Sequence, residues 1–334
     1  MKILVTGGYG FIGSNLINLL LNNPDYIVLN IDKLSHGSNL KNLEKHQENN
    51  HHLFKELDLC NSKELLNEFH SFAPDAVIHL AAQSHVDRSI MDPTDFIQSN
   101  IIGTFNLLEA SRDYLKIEDK KEFRFLHVST DEVFGDLSSN GKPFKEDNNY
   151  LPSSPYSASK ASSDHLVRAW NRTYGLPILI SNCSNNYGPF QHFEKMIPQI
   201  ISCCLSAKKI PIYGDGSQIR DWLFVEDHVQ ALHSIVIKGS IGESYNIGGN
   251  NEISNIELVR KICSVLDEKI TQKPHNISSF NELISFVKDR PGHDQRYAID
   301  SSKIMSELNW RPNHSFDEGI LKTINWYLAN KSYL

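Results

Sequence analysis

The run Thr6-Gly7-Gly8-Tyr9-Gly10-Phe11-Ile12-Gly13 follows a β-branched and leucine stretch at residues 2–5 and leads into an amphipathic segment at 14–21. That order reads as strand, glycine turn and helix. Gly7 permits a tight turn, Gly10 lets the backbone approach a pyrophosphate, and Gly13 lets the helix pack close to the strand. The helix start offers unpaired N–H groups to phosphate. Residues 27–32 form a second apolar run ending in Asp32, 19 residues after Gly13. An acid at that place hydrogen-bonds the adenosine ribose hydroxyls and repels a 2′-phosphate, which favours NAD over NADP. The fold class is therefore α/β, a Rossmann-type doubly wound parallel sheet.

The chain-wide properties fit this reading. The chain has 334 residues, 40% hydrophobic and 22% charged, enough for one large or two modest domains. The net charge of −7 speaks against a nucleic-acid partner. No apolar run reaches the roughly 20 residues of a membrane helix, and the first residues lack a signal-peptide pattern, so no membrane partner and a cytoplasmic location are expected. The five cysteines form no C-x-x-C pair and no zinc spacing, so no metal site is expected. The Asn/His-rich piece at 45–52 reads as a solvated loop.

Further strands are expected at 53–57 and 76–80, with helices at 62–69 and 100–112. The apolar run 123–128 then reads as a buried strand ending in Ser129-Thr130-Asp131-Glu132-Val133-Phe134-Gly135. In open α/β sheets that carboxyl end faces the ligand crevice. Two adjacent carboxyl groups there can serve as acid and base if their surroundings push their pKa values apart. Ser153-Ser154-Pro155-Tyr156-Ser157-Ala158-Ser159-Lys160 follows, with Pro155 suited to a helix start. Tyr156 and Lys160 then share one helix face. The ammonium is expected to lower the phenol's pKa from its ordinary value near 10.

The G-x-x-G-x-x-G spacing resembles the short-chain dehydrogenase/reductase superfamily. With residues 129–135, 153–170, 182–189 and 289–300 added, the chain resembles the extended-type nucleotide-sugar 4,6-dehydratases over nearly its whole length. The resemblance implies bound NAD held by Gly7, Gly10, Phe11, Ile12, Gly13, Asp32, Lys33, Asp58, Leu59, Ala81, Ala82, Tyr156 and Lys160. It implies catalysis by Thr130, Asp131, Glu132, Tyr156 and Lys160. The nucleotide-diphospho-hexose would be held by Ser84, His85, Asn185, Glu194, Lys195, Arg220, Asn255, Arg290 and His293. The reaction implied is oxidation at C4, loss of water across C5 and C6, and hydride return to C6, with dTDP-glucose the favoured substrate. A homodimer is implied, with a contact built partly from the helix carrying Tyr156.

The resemblance also implies two lobes. Residues 1–186, with roughly 222–248 returning to them, would bind NAD, and 187–221 with 249–334 would form a smaller, mostly α substrate lobe. Residues 176–180 are expected as a strand, and 256–266 and 316–328 as helices of the second lobe. Gln83, His192 and Phe193 stand where the family usually carries Glu, Phe and Pro, so UDP-glucose or UDP-GlcNAc stays open as substrate. A 4-epimerase would need Tyr156 and Lys160 without Asp131 and Glu132. A non-catalytic NAD-binding regulator would have no use for the four together.

Overall fold

The computed structural model describes residues 1–118, 120–274 and 277–334. β1 (Lys2–Thr6) runs into α1 (Phe11–Leu20) through the glycine turn. Gly7 sits at φ +72°, and a Cβ on it would lie 2.8 Å from the backbone of Ala81. At Gly13 a Cβ would lie 2.2 Å from the Gly7 carbonyl oxygen. Both contacts are backbone, so neither position accepts a side chain unless α1 moves away from β1.

The chain continues through β2 (Ile27–Asp32), β3 (His52–Glu56), α2 (Ser62–Phe72) and β4 (Ala76–His79). Two short helices, α3 (Val86–Met91) and α4 (Thr94–Phe96), lead through a π-helical turn at Ile97–Ile102 into α5 (Gly103–Ile117). β5 (Arg124–Thr130), α6 (Pro155–Tyr174), β6 (Ile178–Cys183) and β7 (Asn185–Tyr187) follow. Then come α7 (Met196–Leu205), β8 (Ile210–Tyr213), β9 (Ile219–Phe224), α8 (Val225–Lys238) and β10 (Ser244–Ile247). The chain ends with β11 (Glu252–Ser254), α9 (Asn255–Lys269), β12 (Ile284–Val287), α10 (Ser302–Leu308) and α11 (Phe316–Ala329).

Seven strands form one parallel sheet in the order β10-β6-β5-β4-β1-β2-β3. The chain winds outward from β1 to β3, then returns to β4 on the other side of β1. That reversal opens a crevice at the strands' carboxyl ends. The strands are apolar on both faces because helices cover both. On one face Ile3, Val5, Leu16, Ile17, Val229 and Leu232 pack together. On the other Leu4, Phe69, Leu107, Phe125 and Val167 do so. A third apolar cluster, including Tyr187, Ile201, Trp222, Leu258, Ile262, Ile320 and Tyr327, comes from residues after 186.

Several local readings need correction. Residues 45–52 are not simply a loop. A turn of 3-10 helix spans Leu40–His46, because Leu43 is fully buried beneath it, and His52 opens β3. The strand expected at 176–180 is displaced to Ile178–Cys183. Residues 219–224 form a strand outside the main sheet. β9 pairs instead with β7 and β11 in a separate three-stranded sheet, and the return is made by α8 and β10. β7 leaves the main sheet directly after β6 and so offers β9 a free edge.

Gly13→Ala is expected to force α1 off β1 at a cost of about 1–3 kcal/mol. A lower midpoint in thermal or denaturant unfolding checks this, and an unchanged midpoint would count against the contact.

Candidate active site

β5 delivers the chemistry. Its last residue, Thr130, caps a 3-10 turn at Asp131–Phe134, its hydroxyl accepting from the Glu132 N–H at 3.3 Å. The cap fixes Asp131 and Glu132 at the strand's carboxyl end. The N-terminus of α6 is closed by a Ser154–Ser157 capping box with Pro155 in the first turn. That start sets Tyr156 and Lys160 on the face turned toward β5.

Both pairs line the same cleft. So do Gly7, Gly10, Phe11, Ile12, Gly13, Asp32, Lys33, Asp58, Leu59, Ala81 and Ala82, and also Ser84, His85, Asn185, Glu194 and Lys195. Gly10 caps α1 without a side-chain partner. Asp32 accepts from Tyr9 N at 3.0 Å, Leu34 N at 2.8 Å and the Ser38 hydroxyl at 2.8 Å, which holds the loop after β2 in place. Lys33 bridges to Asp58 at 3.3 Å and donates to the Ser99 hydroxyl at 2.7 Å. The glycine cradle, the uncapped helix end and the strand-end acid suit a dinucleotide.

Arg220, Asn255, Arg290 and His293 do not line this cleft and form a neighbouring cluster. Arg220 donates to the carbonyls of Ile219 (2.7 Å) and Asp294 (2.9 Å) and lies over the Tyr297 ring at 4.3 Å. Arg290 pairs with Asp87 at 3.0 Å, and its buried Nε has no partner. His293 pairs with Asp289 at 2.7 Å, and Gln218 joins Asp289 to Asn255.

The two carboxyl groups differ in charge preference. Burial raises Asp131 well above the usual carboxylate range, and the charge of Glu132 adds to this. Its Oδ2 is buried without a partner. Burial raises Glu132 as well, with Arg220, Arg290 and Lys195 opposing the rise only in part. Asp131 is thus the more strongly raised of the two, the better proton holder beside the better base.

The phenol departs from expectation. Burial and the charge of Glu132 push Tyr156 well above its ordinary value, with the Thr130 hydroxyl opposing them. Lys160 does not set that acidity here. Its ammonium donates to the Val128 carbonyl at 2.9 Å and lies 3.4 Å from His127 Nε2. Burial lowers Lys160 to about 8, with Asp164 opposing.

Asp164 and His127 were not identified from sequence. Both are fully buried and 3.2 Å apart. Asp164 Oδ2 also accepts from Ser129 and Tyr150, each at 2.9 Å. Burial works against this carboxylate, yet His127, Lys160 and Ser129 hold it below the usual range. The signal was available: Tyr156, Lys160 and Asp164 recur every four residues, along one helix face.

A family model described as GDP-mannose 4,6 dehydratase matches residues 4–323. The chain belongs to the nucleotide-sugar 4,6-dehydratase family. It is 54% identical to the dTDP-glucose 4,6-dehydratase of Haemophilus influenzae, over 99% of both chains. It is 55% identical to one from Escherichia coli, over 100% of this chain and 95% of that protein. Among solved structures it resembles the dTDP-glucose 4,6-dehydratase of Streptomyces venezuelae with NAD and TYD bound, at TM-score 0.90 and 38% identity, over 100% and 98% of the two chains. A Thermotoga maritima UDP-glucose 4-epimerase with UDP-glucose also superposes, at TM-score 0.86 and 29% identity, over 99% and 100%. Backbone shape alone does not separate this dehydratase family from epimerases, so side chains must.

Burial lowers His127 to about 4 and His228 to about 3. Unfolded, each binds its proton near pH 6.5, so the unfolded chain takes up protons that the folded chain refuses. Stability is therefore expected to fall as pH drops from about 6.5 toward about 4, read as a falling unfolding midpoint. Asp164→Asn would leave Lys160 without its buried counter-charge and cost about 3–5 kcal/mol. Wild-type stability in that variant would contradict the role given to Asp164.

Proposed function

We propose that this chain dehydrates dTDP-glucose to its 4-keto-6-deoxy derivative, using NAD that remains bound. The observation that carries this is that the adjacent carboxyl groups of Asp131 and Glu132 line the same cleft as Tyr156 and Lys160. A 4-epimerase has no step that needs such a pair. Full-length identity of 54–55% to dTDP-glucose 4,6-dehydratases supports the substrate.

NAD, when bound, supplies the hydride acceptor and donor and, in its oxidised form, a positive charge. Tyr156 takes the O4 proton, with Thr130 as its hydrogen-bond partner and Lys160 as the buried cation on the same helix face. A ketone at C4 acidifies the C5 proton, which Glu132 removes. Asp131 delivers its proton to the departing C6 hydroxyl, so water leaves. C5 is then reprotonated from the Glu132 side. Arg220 and Arg290 favour the ionised Glu132 before the C5 step, and with Asn255 and His293 they are assigned to the diphosphate. The unpartnered Arg290 Nε is a free donor for it. We assign NAD binding to residues 1–186 with α8 and β10, and the sugar nucleotide to 187–221 and 249–334.

A cytoplasmic homodimer is part of the proposal. Among the described residues no helix is long and apolar enough to cross a membrane. Ile102, Phe105 and Tyr174 expose apolar surface at α5 and α6, where Phe105 packs edge-on against Trp170. Two copies joined through this face would form a four-helix contact.

Purified enzyme incubated with dTDP-glucose should give a product lighter by one water and no free NADH. It should also show a higher kcat/KM for dTDP-glucose than for UDP-glucose or UDP-GlcNAc. A C4 epimer of unchanged mass, or stoichiometric NADH, would overturn the assignment. Glu132→Gln is expected to lower kcat ~10²–10⁴-fold while NAD stays bound. Phe105→Glu should shift the particle from dimer to monomer in light scattering, whereas an unchanged mass would place the interface elsewhere.

A further inference from the structure

At the mouth of the cleft, imidazoles from three loops converge on one carboxylate. Glu194 Oε2 lies 2.8 Å from His36 Nε2 and 3.8 Å from both His192 Nδ1 and His85 Nε2. The His36 and His192 rings are 4.8 Å apart. The donor atoms of His36, His192 and Glu194 all lie within 4.8 Å of one another. Donors around a tetrahedral zinc ion at about 2.0 Å sit roughly 3.3 Å apart. These side chains are 25–41% exposed, and small rotations of them would close that gap. The neighbouring Lys195 donates to the Ser84 carbonyl at 2.9 Å.

The three donors come from opposite sides of the opening. His36 belongs to the loop after β2, which Ser38 ties to Asp32. His192 and Glu194 precede α7. We propose that His36, His192 and Glu194 form a site for a divalent transition cation of the Zn²⁺ class, clasping these two loops over the cofactor cleft. Two imidazoles and a carboxylate suit Zn²⁺ or Co²⁺ and are too nitrogen-rich for Mg²⁺ or Ca²⁺. A closed clasp slows cofactor exchange, which suits an enzyme whose NAD is regenerated within each turnover. The clasp role rests on the proposed NAD site.

Chelator-stripped full-length protein is titrated with Co²⁺ and read by visible d–d absorption, then by Zn²⁺ displacement. Wild type should saturate at one ion per chain, and His36→Ala and His192→Ala should each lose the band. Release of bound NAD from the holoenzyme should be slowed by Zn²⁺ in wild type only. No Co²⁺ band in wild type, or a band surviving both substitutions, overturns the site. A band lost as expected with NAD release indifferent to Zn²⁺ overturns the clasp. Neither readout requires turnover, so failure of the dehydration assignment would be recognised separately.

Discussion

The structure depends on a buried ammonium. Lys160 is held by the Val128 carbonyl, with the Asp164–His127 pair alongside, all out of contact with water. A buried cation without a partner would be expelled or neutralised. The arrangement that keeps it also pins α6 against β5. Tyr156, one turn before Lys160, is thereby fixed beside Thr130, and the 3-10 turn that Thr130 caps presents Asp131 and Glu132 to the same space. Removing Asp164 would loosen the sheet–helix contact as well as strip the ammonium of its nearby negative charge.

On this scaffold, surroundings divide the labour between two adjacent carboxyl groups. Asp131 is buried with an unpartnered oxygen and faces a like charge. Glu132 meets Arg220, Arg290 and Lys195. The same backbone serves epimerases at nearly the same structural similarity, so the distinction lies in which side chains close the end of β5. The arginines beyond the cleft bias Glu132 toward the charged form, and the proposal gives them the diphosphate as well.

Much of this was legible in the sequence. The glycine turn, Asp32, the Thr130–Glu132 strand end and the Tyr156/Lys160 spacing are local signals, and the structure brings all of them to one cleft. The main sheet followed because its strands are buried runs set between helices. Long-range pairing was not legible. Nothing local in Ile219–Phe224 names its partners, and only the free edge of β7 decides the sheet of β9. The acidity of Tyr156 was misjudged because helical spacing gives proximity to Lys160 but not where the ammonium points, and it points at Val128. Asp164 escaped notice since a lone acid on a helix is usually solvated. His192 and Glu194 lie more than 150 positions from His36, beyond any motif.

The central claim is that Glu132 removes the C5 proton as Asp131 supplies one to the leaving hydroxyl. Turnover in D₂O followed by NMR of the product tests it most directly. A carboxyl base open to the cleft exchanges its proton with solvent, so the wild-type product should carry solvent deuterium at C5. A 4-keto-6-deoxy product whose C5 keeps the substrate's own hydrogen, with deuterium appearing elsewhere on the ring, would contradict the account.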